Sequence, residues 1–82
     1  MLQGELIKIL DKIGDECTEF FNENIGTPIT PTTKDQLVND FNKRIQPYNI
    51  ILIREVSIKA YIKVISTPED PVYRLELKVK HV

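Results

Sequence analysis

The chain has 82 residues, 41% of them hydrophobic and 28% charged, which is enough apolar material for a folded core and too much for a disordered tail. A chain this short buries only about 60–65% of the surface its unfolded form exposes, so that core is small. Eleven basic residues against twelve acidic ones leave a formal charge of −1, which excludes a protein-wide field drawing in nucleic acid or an anionic membrane.

From Gly4 to about Asn24, the apolar residues Leu6, Ile7, Ile9, Leu10, Ile13, Cys17, Phe20 and Phe21 recur at steps of three and four. On a helix they fall within roughly 160° of arc, with charged and amide residues on the rest, which predicts an amphipathic first helix over about 4–24. Gly14 lies at the border of that arc, where it costs about 1 kcal/mol relative to alanine unless a close neighbour needs the space. Asn24 and Gly26 suit the helix end. A connector over 25–32 follows, stiffened by Pro28 and Pro31, each of which fixes φ and removes a backbone donor.

Thr33 followed by Gln36 fits a capping box, and Leu37, Val38, Phe41 and Ile45 share one helical face, predicting a second helix over about 33–45. Pro47 is expected to stop it. From Tyr48 the sequence is rich in β-formers: Ile50-Ile51-Leu52-Ile53, then the alternating Val56, Ile58, Ala60, Ile62 and Val64. One strand from 49 to 65 would extend about 55 Å, too long for so small a domain, so a break or sharp bend is expected near Arg54-Glu55. The turn-forming run Ser66-Thr67-Pro68-Glu69-Asp70-Pro71 leads to a last strand with Tyr73, Leu75, Leu77 and Val79 toward the core. The expected fold is α+β, a single domain over 1–82. Two helices lie on one face of an antiparallel β-meander over about 48–81, with two strands, or three in ααβββ order if the first apolar segment is separate.

Little in the chain resembles reaction chemistry. Cys17, the sole cysteine, lies on the apolar arc of the first helix among acidic neighbours, which disfavours a reactive thiolate and fits a small core residue. It also excludes an intrachain disulfide and a cysteine-based zinc site, and a reducing, cytoplasmic setting is the simplest reading. His81, the only histidine, has no evident partners for a triad or a metal. Asp11, Asp15, Glu19 and Glu23 follow a solvent face at steps of four, and Glu69-Asp70 lacks the alternating ligand spacing of a calcium loop. Gly4, Gly14 and Gly26 form no phosphate-binding motif. No enzyme activity, catalytic residue, metal, cofactor or small-molecule ligand is implied, and no segment has the apolar length to enter a membrane.

Two surfaces remain. Residues 1–46 hold eight acids and five bases, whereas 47–82 hold four acids and six bases. If the last two strands pair, their solvent face gathers Lys59, Lys63, Arg74, Lys78 and Lys80 around Tyr61, with Glu76 the one acid. Such a face can grip phosphates and stack a base; equally, lysines there keep a sheet soluble and discourage unwanted pairing. The second surface is apolar. The wide arc of the first helix and Ile50 to Ile53 exceed what one sheet face needs, and leftover apolar surface becomes a protein interface.

The order of helix, β-rich strand and the proline-bounded hairpin Ile65-Ser66-Thr67-Pro68-Glu69-Asp70-Pro71-Val72-Tyr73 is similar to the closing segment of contractile-phage tail sheath proteins. That likeness covers about half the chain, implies a viral assembly role and carries over no functional residue. The leading expectation is a non-enzymatic interaction or assembly subunit whose partner is a protein or a second copy. The alternative is a nucleic-acid or polyanion binder that uses the basic hairpin face.

Overall fold

The structure is a computed structural model that describes residues 2–27, 30–65 and 74–82. It is an α+β domain of two helices, α1 (Gln3–Glu23) and α2 (Pro31–Val56), followed by the antiparallel strands β1 (Ile58–Ile65) and β2 (Arg74–His81). The expected turn at 66–71, Tyr73, and Pro28 and Ile29 of the connector lie outside the described residues.

Helix α1 forms where the apolar periodicity placed it. Ile13 and Phe20 are buried, and Leu6, Ile9, Leu10 and Cys17 pack around them. Ile7 and Phe21, expected on the same arc, sit on its flank and stay 52% and 43% exposed. At the helix end, Asn24 donates a side-chain bond to the Phe20 carbonyl at 2.8 Å. Gly26 then takes φ +83°, a conformation that glycine adopts at no steric cost.

Helix α2 starts earlier and ends later than its sequence suggested. The capping box is Thr30 with Thr33, not Thr33 with Gln36: the Thr33 N–H donates to Thr30 Oγ1 at 3.2 Å and the Thr30 N–H donates to Thr33 Oγ1 at 2.6 Å. Pro31 occupies the first turn, where its missing N–H has no helical partner to lose.

The helix also runs through Pro47 to Val56, which corrects the expected stop near residue 45 and the expected strand from residue 48. A proline inside a helix costs about 3 kcal/mol because it removes a donor and crowds the carbonyl four residues back. Here Pro47 and Lys43, whose carbonyl loses its bond, are both exposed, so water can satisfy the oxygen. On the opposite side Ile45 precedes Pro47, and Tyr48 and Leu52 follow it, all against one core. Burying side chains of this size contributes on the order of 1.5–3 kcal/mol each, which outweighs the proline. The same burial outweighs the β-preference of the isoleucines, worth about 0.5 kcal/mol per residue.

Ser57, at φ 55° and ψ 38°, ends α2 in the left-handed region and turns the chain back along it. The sharp break expected near Arg54-Glu55 therefore falls just beyond them, as a helix end and not a bent strand. Among the described residues the sheet has two strands, the smaller of the two expected numbers, paired in the register Ile58 with His81 through Ile65 with Arg74. Ala60 and Ile62 are buried and Leu75 and Leu77 pack against the core, but Val79, expected there, is 48% exposed.

The core joins all four elements through Ile13, Phe20, Leu37, Phe41, Ile45, Leu52, Ala60 and Ile62, with Leu75 and Leu77 of β2 packed against them. Phe20 and Phe41 meet edge to face with centroids 5.7 Å apart. Arg44 covers that contact, its guanidinium 5.6 Å from the Phe20 ring centre and its Nη2 donating to Glu23 at 2.8 Å. That hydrogen bond, with the nearby charges of Glu16 and Glu19, raises the guanidinium pKa further above its ordinary value.

Candidate functional site

The β1–β2 register brings the predicted basic residues onto one face. Lys59 lies opposite Lys80, Tyr61 opposite Lys78, Lys63 opposite Glu76 and Ile65 opposite Arg74. Directly opposed residues share a face of the sheet, so Lys59, Tyr61, Lys63, Arg74, Lys78 and Lys80 are together on the side away from the core. The electrostatics are more self-contained than a count of charges suggests. Lys80 Nζ stands 5.1 Å above the Tyr61 ring centre, covering a surface on which a base would stack. Lys78 Nζ lies 3.0 Å from Glu76, which also faces Lys63 across the strands.

Backbone groups define a second feature. The Val82 N–H donates to the Ser57 carbonyl at 2.9 Å, marking that opposed pair as hydrogen-bonded. Antiparallel ladders alternate, so Lys59/Lys80, Tyr61/Lys78 and Lys63/Glu76 also bond across, while Ala60, Ile62 and Val64 turn their N–H and C=O outward from β1. On β2 the outward groups are those of Leu75, Leu77, Val79 and His81.

The two edges are treated differently. On β1, buried Asn49 of α2 reaches across to Ala60, its Nδ2 donating to the Ala60 carbonyl and its Oδ1 accepting from the Ala60 N–H, both at 3.0 Å. One amide side chain thus satisfies both outward groups of a buried residue, as a third strand would. No such reach from a helix is seen at the outer edge of β2 among the described residues, and α1 touches that strand only sparsely. Sequence reasoning missed Asn49 because it placed that residue in a strand; an amide among apolar positions at helical spacing was the available signal.

Beside Asn49, a broad groove of about 480 Å³ runs between α2 and β1, lined by Asn39, Asn42, Lys43, Gln46 and Lys59 and by the exposed Ile50 and Ile53. The Asn42 Oδ1 is buried there with no hydrogen-bond partner among the described residues. Amides and lysines at this spacing can hydrogen-bond a polar backbone. A more open depression is lined by Glu5, Lys8 and Glu55, all exposed.

The other sequence candidates stand apart. His81 is exposed at the end of β2, opposite Ile58. Cys17 is partly buried against the core, and that burial raises its thiol pKa. Among the described residues, no three His, Cys, Asp or Glu side chains gather as a metal-binding group, and no helix is long and apolar enough to cross a membrane.

Structurally, then, this is a small α+β domain with a partly compensated basic face, one strand edge held by an amide and one that no helix side chain caps among the described residues. No family model, curated protein or solved structure matches the chain.

Proposed function

We propose that this chain is a non-enzymatic assembly subunit that associates with further copies of itself. The observation that carries the reading is the apolar surface the fold leaves uncovered. Ile7 and Phe21 on one flank of α1, Ile50 and Ile53 on α2 and Val79 on β2 are 39–56% exposed, although the core is too small to spare such residues without return. The groove beside Asn49, lined among the described residues by amides, lysines and two isoleucines and by no carboxylate or histidine, supports the non-enzymatic part. A reducing, cytoplasmic setting suits the lone partly buried thiol, and the likeness of the hairpin segment to tail sheath proteins makes a viral particle one such assembly. The test is solution mass by light scattering across a concentration series, in low salt and again at about 0.5 M, where exposed charges are screened. A dimer or larger species in both is expected; a monomer throughout would overturn the reading.

The strand register favours a second reading, a polyanion binder that uses Lys59, Lys63 and Lys78 for phosphate contacts. With Lys80 over Tyr61, base stacking contributes little to it. Binding to mixed DNA and RNA that weakens steeply with salt and is lost on reversing those three lysines to glutamate would support it. Salt-insensitive or absent binding would remove it.

A further inference from the structure

We propose that the outer edge of β2 is the assembly surface, and that two copies pair their β2 strands antiparallel about a two-fold axis at Leu77, joining two hairpins into one four-stranded sheet. The inference rests on the self-association reading and names the surface that reading leaves open.

Three observations converge on this edge. The first is backbone chemistry. Leu75, Leu77 and Val79 point their N–H and C=O away from β1, because the bonded pairs of the ladder are Ser57/Val82 and every second pair from it. A two-stranded hairpin is marginal in water, and an uncovered edge is a template for a further strand.

The second is the contrast between the edges. On β1 the outward groups of Ala60 are already taken by Asn49, so an incoming strand would have to displace a buried amide making two bonds. β2 carries no such plug among the described residues, which leaves it as the edge that can pair.

The third is charge, and it selects the register. Only odd residues of β2 have outward backbone groups, so odd must pair with odd. Centring the two-fold on Leu77 pairs Leu77 with its own copy and Leu75 with Val79 of the second copy, twice. The intervening residues then oppose Glu76 to Lys78 of the second copy, also twice. Shifting so that Leu77 meets Val79 sets Lys78 against Lys78 at the axis, and shifting so that Leu75 meets Leu77 sets Glu76 against Glu76. Like charges directly opposed are destabilising. The second shift also sets Arg74 against Lys78 twice, which rules it out. The first opposes Glu76 to Lys80 twice, but it holds its like pair at the axis and would draw Lys80 off the Tyr61 ring. The Leu77-centred pairing instead keeps opposite charges beside the axis. It leaves one like-charged pair, Arg74 with Lys80, at each exposed end. On the helix-bearing face it lays Leu75 of one copy beside Val79 of the other, covering a core-parity valine that the single chain leaves 48% exposed.

Sedimentation velocity on the full chain tests this with four proteins: wild type, Val79→Pro, Glu76→Lys and the double variant Glu76→Lys/Lys78→Glu, each checked for folding by circular dichroism. Val79→Pro removes an outward N–H while sparing the ladder to β1. The wild type should dimerise. Val79→Pro should weaken dimerisation on the order of 100-fold, from two lost bonds and the ring's obstruction. Glu76→Lys should weaken it about tenfold, and the double variant should restore it to within about threefold, because the charges exchange places across the axis. If Val79→Pro fails to fold, the charge pair alone decides. A wild type that associates but is indifferent to Val79→Pro and Glu76→Lys would overturn the β2 edge and leave self-association standing. A wild type that stays monomeric would overturn both.

Discussion

Removing the Asn49 amide should cost this fold more than deleting any surface group. In Asn49→Ala the N–H and C=O of Ala60, a residue with no exposed surface, lose partners that each sat at 3.0 Å. Leaving a buried backbone group unsatisfied costs about 1–3 kcal/mol, and water entering the vacated space recovers part of that, so a net loss of about 2–4 kcal/mol is expected. For a domain of this size, stability is about 4–12 kcal/mol in total, so the variant should lose about a sixth of it or more and melt roughly 8–30 °C lower. Urea unfolding followed by far-UV circular dichroism reads this directly. Asn49→Asp makes the test sharper. Ionised, the introduced carboxylate accepts from the Ala60 N–H but faces the Ala60 carbonyl with a second acceptor; protonated, it can donate there. Its folded pKa should therefore lie above the unfolded value of about 3.9, so the stability it contributes is whole below that value and lost as pH rises through the folded one. The Asn49→Asp protein should thus gain stability relative to wild type as pH falls from about 7 toward 4. A loss in Asn49→Ala below about 0.5 kcal/mol, or an Asn49→Asp protein that tracks the wild type across that range, would refute the strand-like role of this amide.

Pro47→Ala should stabilise the protein by about 1–3 kcal/mol in urea unfolding, since α2 is already continuous through residue 47 and alanine restores a helical donor; destabilisation would mean that the proline shapes the helix. Gly14→Ala should add about 0.5–1 kcal/mol, because nothing lies within 4 Å of the added methyl group; a loss in thermal melting would contradict that open site. Burial holds the Cys17 thiol above its ordinary pKa, so the unfolded chain releases this proton first. The resulting stabilisation is whole below about pH 8.5 and lost as pH rises through the folded value, a decline that Cys17→Ala should lack. Native Cys17 should also alkylate more slowly than the urea-unfolded chain; equal rates would contradict its burial.

The fold class was legible because two periodicities dominate the chain. Steps of three and four place α1 and the first half of α2, and strict alternation from Ile58 to Val64 places β1. Residues 48–56 misled for a physical reason. Ile50, Ile51 and Ile53 have strand preferences and follow a proline, yet Tyr48, Leu52 and Val56 also fall at helical spacing, and packing on the core prevailed over both local signals. Thr30-Pro31 was read as connector because its prolines masked a cap, although a proline in the first helical turn is favourable. The basic face was legible in full, since alternation and pairing fix which side chains share a side. Its internal compensation was not, because the stacking of Lys80 on Tyr61 and the pairing of Lys78 with Glu76 depend on rotamers. Nor could the sequence distinguish the two strand edges. That difference comes from one contact, Asn49 to Ala60, between residues 11 apart on elements of different type.

Solution X-ray scattering of the wild-type chain over a concentration series tests self-assembly most directly, because it reads mass and shape together. The account predicts a species of twice the 9.5 kDa chain mass, with a radius of gyration clearly above the 13.8 Å of the single chain and persisting in about 0.5 M salt. A mass of 9.5 kDa with a radius close to that of the single chain at every concentration would contradict it.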